Sequence, residues 1–213
     1  MNQKVTIPGQ LLSENKENAN FGTYIKDNKL HSCIFGIVND KNKISVTPFK
    51  SKYLPSYKDF IIGIVINVTP MNWIFDINSP YNGLLHVSEY PKRIESSKMP
   101  KLMGIGDAAI LRIVDVSIMK KVELTMKEGG LGCILEGRIL TIPSSKVFSI
   151  IGHDSNIISM LRSSSECDIF VGRNGRIWIN GPIRNMNKLE NAIDYIVENS
   201  EQQDLIDIVA QLF

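Results

Sequence analysis

Short apolar runs separated by turn-forming residues fill the first three-fifths of the chain. From Asp59 onward, five such runs follow one another: DFIIGIVINV, NWIFDI, GLLHVS, AAILRIVDVS and KVELTM. In NWIFDI, the alternation places Trp73, Phe75 and Ile77 on one face of a strand, with Ile74 and Asp76 on the other. Five strands in about seventy residues predict a small closed barrel over residues 58–128, because closure removes exposed strand edges.

The residues before this barrel predict a separate small all-β domain. Residues 21–50 contain short β-prone runs, and NDKNK joins two of them as a hairpin would. Pro48 and Pro55 follow, and proline interrupts sheet pairing because it has no backbone N–H to donate. We therefore place the first domain at residues 1–57.

The pattern changes after KEGGLGCI, which brings three glycines together. GRILTIP predicts a strand, SSKVFSII and SNIISMLRSSS predict helices, and CDIFVG and RIWING predict strands on either side of RNG. Helical periodicity continues over residues 186–213. The sequence thus predicts a multidomain, mainly β chain with a C-terminal α/β part at residues 129–213, in the order strand, helix, helix, strand, strand, helix, with an extra helix at the end.

Composition and charge narrow the class of protein. Hydrophobic residues make up 43% of the chain and charged residues 22%, as in globular proteins. Residues 1–58 carry nine Lys and Arg against four Asp and Glu, an excess of five. That excess fits an acidic partner, either a protein surface or RNA, and it equally fits lysines that keep the protein soluble. The longest apolar run, FIIGIVI, is too short for a membrane span, and the N-terminus lacks a secretory signal pattern, so we expect a cytoplasmic protein.

No motif of an enzyme or of a metal or cofactor site is found. Cys33, Cys133 and Cys167 are widely spaced without a CxxC pair, so we interpret them as reduced core cysteines. HExxH and the GK[ST] of a P-loop are absent. His153, Asp154 and Ser155 are consecutive and cannot converge as a catalytic triad. We expect neither a cofactor nor catalytic activity.

The order of elements after residue 136 resembles a KH domain, which holds about four single-stranded nucleotides at a GxxG loop. The corresponding loop here is Gly152, His153, Asp154 and Ser155, so serine replaces the second glycine. Two interpretations stay open. Ser155 is either the N-cap of the next helix or part of a loop that contacts the RNA backbone.

The barrel resembles an OB fold of the ribosomal-protein-S-one type. The resemblance rests on GIVINVTPMNWIFDI, NSPYNGLLHVSE, GIGDAAILRIVDV and KVELTM, in that order. Such barrels bind single strands through exposed aromatic residues and a histidine. His86 matches the family histidine, whereas Ile74 stands where a stacking aromatic is expected. His86 is therefore either an RNA contact or a structural residue of the barrel rim.

Motifs over nearly the whole chain resemble the non-catalytic cap subunit of the archaeal exosome, the ribosomal RNA-processing protein four family. They are VTIPGQLL, GTY, NWIFDI with SPY, LTMKEGGLG and CDIFVGRNGRIWI. The most specific is a G-x-N-G turn, formed here by Gly172, Arg173, Asn174 and Gly175. Asn-Gly is also a strong hairpin signal because both residues tolerate a positive φ, so the turn has a structural explanation as well.

This resemblance implies a binding protein rather than an enzyme. The N-terminal domain would dock onto a hexameric ring of phosphorolytic RNase-fold subunits. Three copies, or a mixture with a related cap subunit, would form a trimer whose barrels line a pore for single-stranded RNA, with adenine-rich tails favoured. The alternative is a free-standing single-strand RNA-binding factor of transcription or translation.

Eleven residues of the barrel and the KH domain are candidate RNA contacts because of their charge or their place in a motif. Basic side chains bind phosphates in a salt-dependent way. The candidates are His86, Lys120, Lys121, Arg138, Lys146, Gly152, His153, Ser155, Arg162, Arg173 and Arg176.

Overall fold

The computed structural model describes residues 4–40, 43–48, 52–152, 155–199, 208–209 and 213. The chain divides into two compact units, residues 1–51 and 52–213. Within the described residues, no helix combines the length and the apolar character needed to cross a bilayer.

The first unit is mainly β, as expected, with a short 3-10 helix at Lys16–Asn18. One three-stranded sheet has the order β1-β5-β6 and a second has the order β2-β4-β3. The hairpin expected around NDKNK is confirmed, because Val38 of β5 pairs with Val46 of β6. The strands are β1 Val5–Thr6, β2 Leu11–Ser13, β3 Thr23–Lys26, β4 Lys29–Ser32, β5 Gly36–Asn39 and β6 Ser45–Pro48.

The predicted five-stranded barrel is confirmed in the second unit. Its strands follow the order β11-β9-β8-β7-β10, and pairing between β10 and β11 closes it. Helix α1, Met99–Leu102, lies between the third and fourth strands in sequence. The strands are β7 Phe60–Val68, β8 Asn72–Asp76, β9 Asn82–His86, β10 Ala108–Val116 and β11 Val122–Thr125.

The two faces of β8 follow the predicted alternation. Trp73, Phe75 and Ile77 are fully buried in the barrel core, whereas Ile74 and Asp76 are partly exposed. The indole N–H of Trp73 donates to the carbonyl of Met103 at 3.0 Å, so the buried ring leaves no unpaired donor.

The glycine-rich segment between the barrel and the KH domain adds a strand to the barrel sheet. Strand β12, Gly132–Ile134, pairs antiparallel with the start of β10, so that Cys133 lies opposite Ala109. The barrel sheet thus continues past residue 129, where we expected the KH domain to begin.

The C-terminal part has the predicted βααββα order of a KH domain, with an antiparallel sheet in the order β13-β15-β14. Leu161, Ile177, Leu189 and Ile193 are fully buried between this sheet and the helices. The extra helix expected near the end lies outside the described residues, except for residues 208, 209 and 213. The elements are β13 Arg138–Thr141, α2 Val147–Ile151, α3 Asn156–Ser165, β14 Asp168–Val171, β15 Arg176–Asn180 and α4 Ile183–Glu198.

The expectation that all three cysteines lie in cores is wrong for Cys33, which is exposed. Cys133 is half-buried and Cys167 is buried. Burial raises the pKa of both the Cys133 and the Cys167 thiol. These two side chains therefore remain neutral thiols at neutral pH, whereas Cys33 is open to reagents.

Candidate nucleic-acid interface

The outer face of β8 and β9 carries the barrel histidine. Asn72 lies opposite His86, and Ile74 lies opposite Leu84. All four side chains are partly exposed, because their neighbours in sequence fill the core. A cavity of about 440 Å³ on this face is lined by Asn72, Leu84, His86 and Lys121, among others. Two of the sequence candidates, His86 and Lys121, thus meet at one site.

The imidazole of His86 has a defined orientation. Its Nδ1 accepts a hydrogen bond from the backbone N–H of Ser88 at 3.2 Å and lies 2.7 Å from the Ser88 hydroxyl oxygen. Since a backbone N–H can only donate, Nδ1 is the acceptor and Nε2 carries the proton of the neutral ring. His86 is therefore both a structural residue of the barrel rim and a donor at the cavity.

Lys120 and Lys121 lie in the turn between β10 and β11. Lys120 has a positive φ of 63°. The backbone N–H of Lys121 donates to the hydroxyl of Ser117 at 3.0 Å, and its Nζ lies 2.7 Å from a carboxylate oxygen of Glu123. This acidic neighbour offsets part of the positive charge, so the first cavity is polar rather than strongly basic.

A second cavity, of about 450 Å³, has a more basic lining. Ser88 lines both cavities, so they are neighbours on the barrel surface. The basic side chains of the second cavity are those of Lys92, Arg93 and Lys127, and its aromatic one is that of Tyr90. Basic groups beside an aromatic ring are typical of single-strand binding, since they offer contacts to phosphates and to base faces.

The residues of this second cavity were not among the candidates predicted from the sequence. A signal was present, because EYPKR follows GLLHVS directly and places an aromatic residue two positions before two basic ones. The ring of Tyr90 packs against Trp73 with the ring centroids 5.6 Å apart. Burial raises the pKa of Tyr90, with a further contribution from Cys133, so the phenol stays neutral.

The KH candidates Arg138 and Arg162 have partners within the domain. Arg138 donates to the side-chain oxygen of Asn187 at 2.7 Å and lies 3.3 Å from Glu190. Arg162 donates to the carbonyl of Ile169 at 2.8 Å. Arg138 thus links β13 to α4, and Arg162 links α3 to β14. Lys146 ends the short 3-10 turn that precedes α2.

Arg173 lies where the KH domain meets the barrel and remains partly exposed. Its guanidinium carbon lies 4.4 Å from the centroid of the Phe148 ring, a cation–π contact. Its backbone N–H donates to the carbonyl of Phe60 at 2.8 Å, and its Nε is 3.8 Å from a carboxylate oxygen of Asp59.

Arg176 is buried, with 6% of its surface exposed, and this corrects its assignment as an RNA contact. Its guanidinium donates to the carbonyl of Ile62 at 3.2 Å and to that of Asp76 at 2.6 Å, and it pairs with the Asp76 carboxylate. Because these groups belong to the barrel, Arg176 joins the two domains. A side chain so placed is not available to a phosphate.

Asn174 and Gly175 contribute to the G-x-N-G turn in different ways. Only Gly175 has a positive φ, 79°, and a Cβ there would lie 2.3 Å from the carbonyl oxygen of Ile142. Asn174 does not have a positive φ, so the tolerance of Asn-Gly for positive φ is used at Gly175 alone. Asn174 acts through its fully buried amide, which donates to the carbonyl oxygens of Ile62 and Ile77 at 2.8 and 3.0 Å.

The altered GxxG loop is described at its two ends, whereas His153 and Asp154 lie outside the described residues. Gly152 ends α2 with a φ of 76°, and its N–H donates to the carbonyl of Phe148 at 2.9 Å. Ser155 precedes α3 with a left-handed φ of 61°. Ser155 thus occupies the N-cap position of α3, as one of the two interpretations had it, but its side chain makes no capping hydrogen bond.

No group of three or more His, Cys, Asp and Glu residues suited to a metal ion occurs in the part of the chain that the structure describes.

Comparison with known proteins decides the family. The family model described as the exosome RNA binding protein RRP4 N-terminal domain matches residues 3–50, and a KH-domain model matches residues 137–185. Exosome complex component Rrp4 of Methanococcoides burtonii is 52% identical over 209 residues, which are 98% of this chain and 80% of that protein. The chain belongs to the Rrp4 family.

Further Rrp4 relatives and a solved structure agree with this assignment. Rrp4 of Methanosarcina acetivorans is 48% identical over 208 residues, 97% of this chain and 80% of that protein. A crystal structure described as an exosome complex RNA-binding protein has a TM-score of 0.70 and 32% identity, over 76% of this chain and 94% of its own. The resemblance stated from the sequence motifs is thereby confirmed.

Proposed function

We propose that this chain is a non-catalytic, RNA-binding cap subunit of an archaeal exosome. The single observation that supports an RNA-binding surface is the pair of neighbouring cavities on the barrel, both lined by Ser88. Membership of the Rrp4 family supports the exosome as its partner assembly.

The chemistry of the two cavities supports weak binding of single-stranded RNA with little dependence on its base sequence. Lys92 and Arg93 line one cavity and neutralise phosphates there, whereas Lys127 of the same cavity lies 3.3 Å from a carboxylate oxygen of Glu89. His86 and Asn72 line the other and offer hydrogen-bonding groups to bases or ribose. The single-stranded RNA runs from one cavity to the other past Ser88.

The finer features of the proposal follow the family. Three copies, alone or with a related cap subunit, surround a pore on a hexameric ring of RNase-fold subunits in the cytoplasm. The N-terminal unit docks onto the ring, and the barrels pass the RNA 3′ end, preferably from a poly(A) tail, into it. Several weak sites held in one assembly raise the effective concentration of RNA without a tight contact at any of them.

The KH domain of this subunit serves mainly to hold the barrel. Asn174 and Arg176 bind barrel backbone groups, and Arg138 and Arg162 have partners inside the domain. An RNA contact at Gly152, His153 and Ser155 remains a proposal. Replacing Asp154 with Lys raises RNA affinity if this loop faces the RNA backbone, and leaves it unchanged if it does not.

Sedimentation velocity with the hexameric ring from the same organism tests the cap role. A single faster species with three copies of the chain per ring is expected. Separate sedimentation of ring and chain would contradict the proposal and would favour a free-standing RNA-binding factor. Deleting residues 1–51 is expected to abolish ring association while RNA binding by the remaining compact unit persists.

Fluorescence anisotropy with a labelled RNA of about 20 nucleotides, longer than one OB barrel covers, tests the binding surface. The double variant Lys92→Ala/Arg93→Ala is expected to weaken binding. It should also lower the slope of log affinity against log salt by about 1.4, because each phosphate contact to a single strand contributes about 0.7. Lys26→Ala, an exposed lysine of the N-terminal unit, is the matched control. An equal effect of both variants would rule out the second cavity as the binding surface.

A further inference from the structure

The side chain of Glu89 connects the two cavities on the barrel. Glu89 lines the first cavity and Lys127 lines the second. A carboxylate oxygen of Glu89 lies 3.3 Å from the Nζ of Lys127, and the two side chains are 32% and 50% exposed. A strand that occupies both cavities therefore passes this ion pair.

Hydrogen bonds at the end of β11 fix both members of the ion pair. The buried hydroxyl of Thr125 donates to the other carboxylate oxygen of Glu89 at 2.7 Å and accepts from the backbone N–H of Lys127 at 3.2 Å. The N–H of Met126 donates to the Glu89 carbonyl at 3.1 Å. The barrel itself thus holds this carboxylate, whereas many surface ion pairs join two freely moving side chains.

The charge of Lys127 is only partly available to RNA. A lysine strengthens RNA binding because its contact with a phosphate releases a condensed counterion. Lys127 already lies beside a fixed anion, and that anion also repels a phosphate that approaches the cavity. Because an exposed ion pair contributes little to folding stability, the fold does not depend on a lysine beside this carboxylate.

We propose that Glu89 is a positioning residue that keeps the binding of single-stranded RNA weak, because it holds Lys127 away from the phosphates; this inference rests on the proposed RNA-binding function. Affinity differences among variants of one interface lie mainly in the dissociation rate, so weaker binding means faster release. Faster release suits a subunit that passes a strand onward. In the first cavity Lys121 lies 2.7 Å from Glu123, so a lysine of each cavity has a carboxylate partner.

Glu89→Gln tests the inference, because it removes the charge and keeps an oxygen that accepts from Thr125. Fluorescence anisotropy with a labelled RNA of about 20 nucleotides should show roughly three- to fivefold tighter binding and slower release into excess unlabelled RNA. The slope of log affinity against log salt should become steeper by about 0.7, the contribution of one phosphate contact. Glu14→Gln is the matched control. It removes the same charge from the exposed ion pair with Lys29 in the first unit and should change none of these quantities.

The double variant Glu89→Gln/Lys127→Ala tests whether the effect acts through the lysine. It should lose both the tighter binding and the steeper slope of Glu89→Gln. Thermal unfolding shows whether each variant is folded, and Glu89→Ala, which removes the same charge, replaces Glu89→Gln if that variant is not.

Three outcomes overturn the inference. Wild-type affinity and salt slope in the folded single variant would mean that Glu89 does not restrain RNA binding. Weaker binding would make Glu89 a favourable contact of the strand. A gain that persists without Lys127 would mean that the carboxylate repels phosphates directly and positions nothing. If the wild-type chain binds no RNA, the proposed function itself fails.

Discussion

The side-chain amide of Asn174 in the KH domain pairs with the backbone of Ile62 in the barrel. Its Nδ2 donates to the Ile62 carbonyl at 2.8 Å, and its Oδ1 accepts from the Ile62 N–H at 3.3 Å. The same Nδ2 reaches the carbonyl of Ile77 at 3.0 Å, and the Asn174 carbonyl accepts from the amide of Asn78 at 2.7 Å. One residue of a hairpin loop thus satisfies backbone groups of two barrel segments.

Asn174→Ala should destabilise the second unit by about 3 kcal/mol, because backbone groups of Ile62 and Ile77 lose their partner in a buried site. The measurement is the free energy of unfolding in urea, followed by tryptophan fluorescence. Asn67→Ala is the control, since Asn67 is exposed and its side chain bonds only to the neighbouring N–H of Val68 among the contacts that the structure describes. A cost below about 1 kcal/mol for Asn174→Ala would show that the amide pairing contributes no more than one ordinary hydrogen bond.

Arg176→Lys should lower stability by about 2 kcal/mol without changing the salt slope of RNA binding. A lysine ammonium lacks the planar fork that contacts the carbonyls of Ile62 and Asp76 together. Urea unfolding and RNA titration at several salt concentrations measure the two effects. A reduced salt slope of RNA binding by the folded Arg176→Lys variant would mean that Arg176 contacts RNA.

Ser155→Gly should stabilise the protein by about 1 kcal/mol, because Ser155 has a left-handed φ of 61° that glycine adopts without the Cβ penalty. The thermal midpoint measures the gain. Ser163→Gly is the control with the opposite sign, since it introduces glycine into α3 and costs about 0.5 kcal/mol. If the substitution at residue 155 also raises RNA affinity, the loop contacts the backbone of the strand. Destabilisation by Ser155→Gly would contradict the strained-loop explanation.

The stability of the second unit should fall at alkaline pH through Tyr53. Burial, together with its 2.6 Å hydrogen bond to Asp59, raises the pKa of this phenol well above its usual value. The folded state therefore keeps the proton after the unfolded chain has lost it. The stabilisation is complete below about pH 10 and decreases by roughly 1.4 kcal/mol per pH unit above it.

Comparison of wild type with Tyr53→Phe isolates this contribution. The variant should be less stable by about 2 kcal/mol at pH 8, where the hydrogen bond to a charged group is lost. The difference should narrow between pH 10 and pH 11, as measured by urea unfolding at each pH. A constant difference across this range would mean that Tyr53 ionises normally.

Much of the fold was predictable because it depends on local patterns. The alternation in NWIFDI identified the buried face of β8, and the order of strands and helices identified the barrel and the KH domain. Strand β12 was not predicted, because GLGCI has no alternation that distinguishes a strand from a linker. Only its pairing with β10 defines it.

The candidate site was predictable only in part. His86 and Lys121 were identified from motif and charge, and the structure brings them to one cavity. Arg176 looks like an exposed basic residue in the sequence, yet it lies among barrel carbonyls. Charge alone does not indicate whether a side chain faces solvent, because burial depends on segments more than a hundred residues apart.

The sequence by itself determined the family, the order of its elements and the absence of an enzyme motif, because each is encoded in contiguous runs and spacings. Only the tertiary structure decided the roles of Asn174 and Arg176 and defined the cavity lined by Tyr90, Lys92 and Arg93. Hydrogen bonds between the barrel and the KH domain, and cavities lined by separate strands, exist only once distant segments pack. For the same reason, only the structure distinguishes Arg176, which joins the KH domain to the barrel, from Lys92 and Arg93, which line a surface cavity.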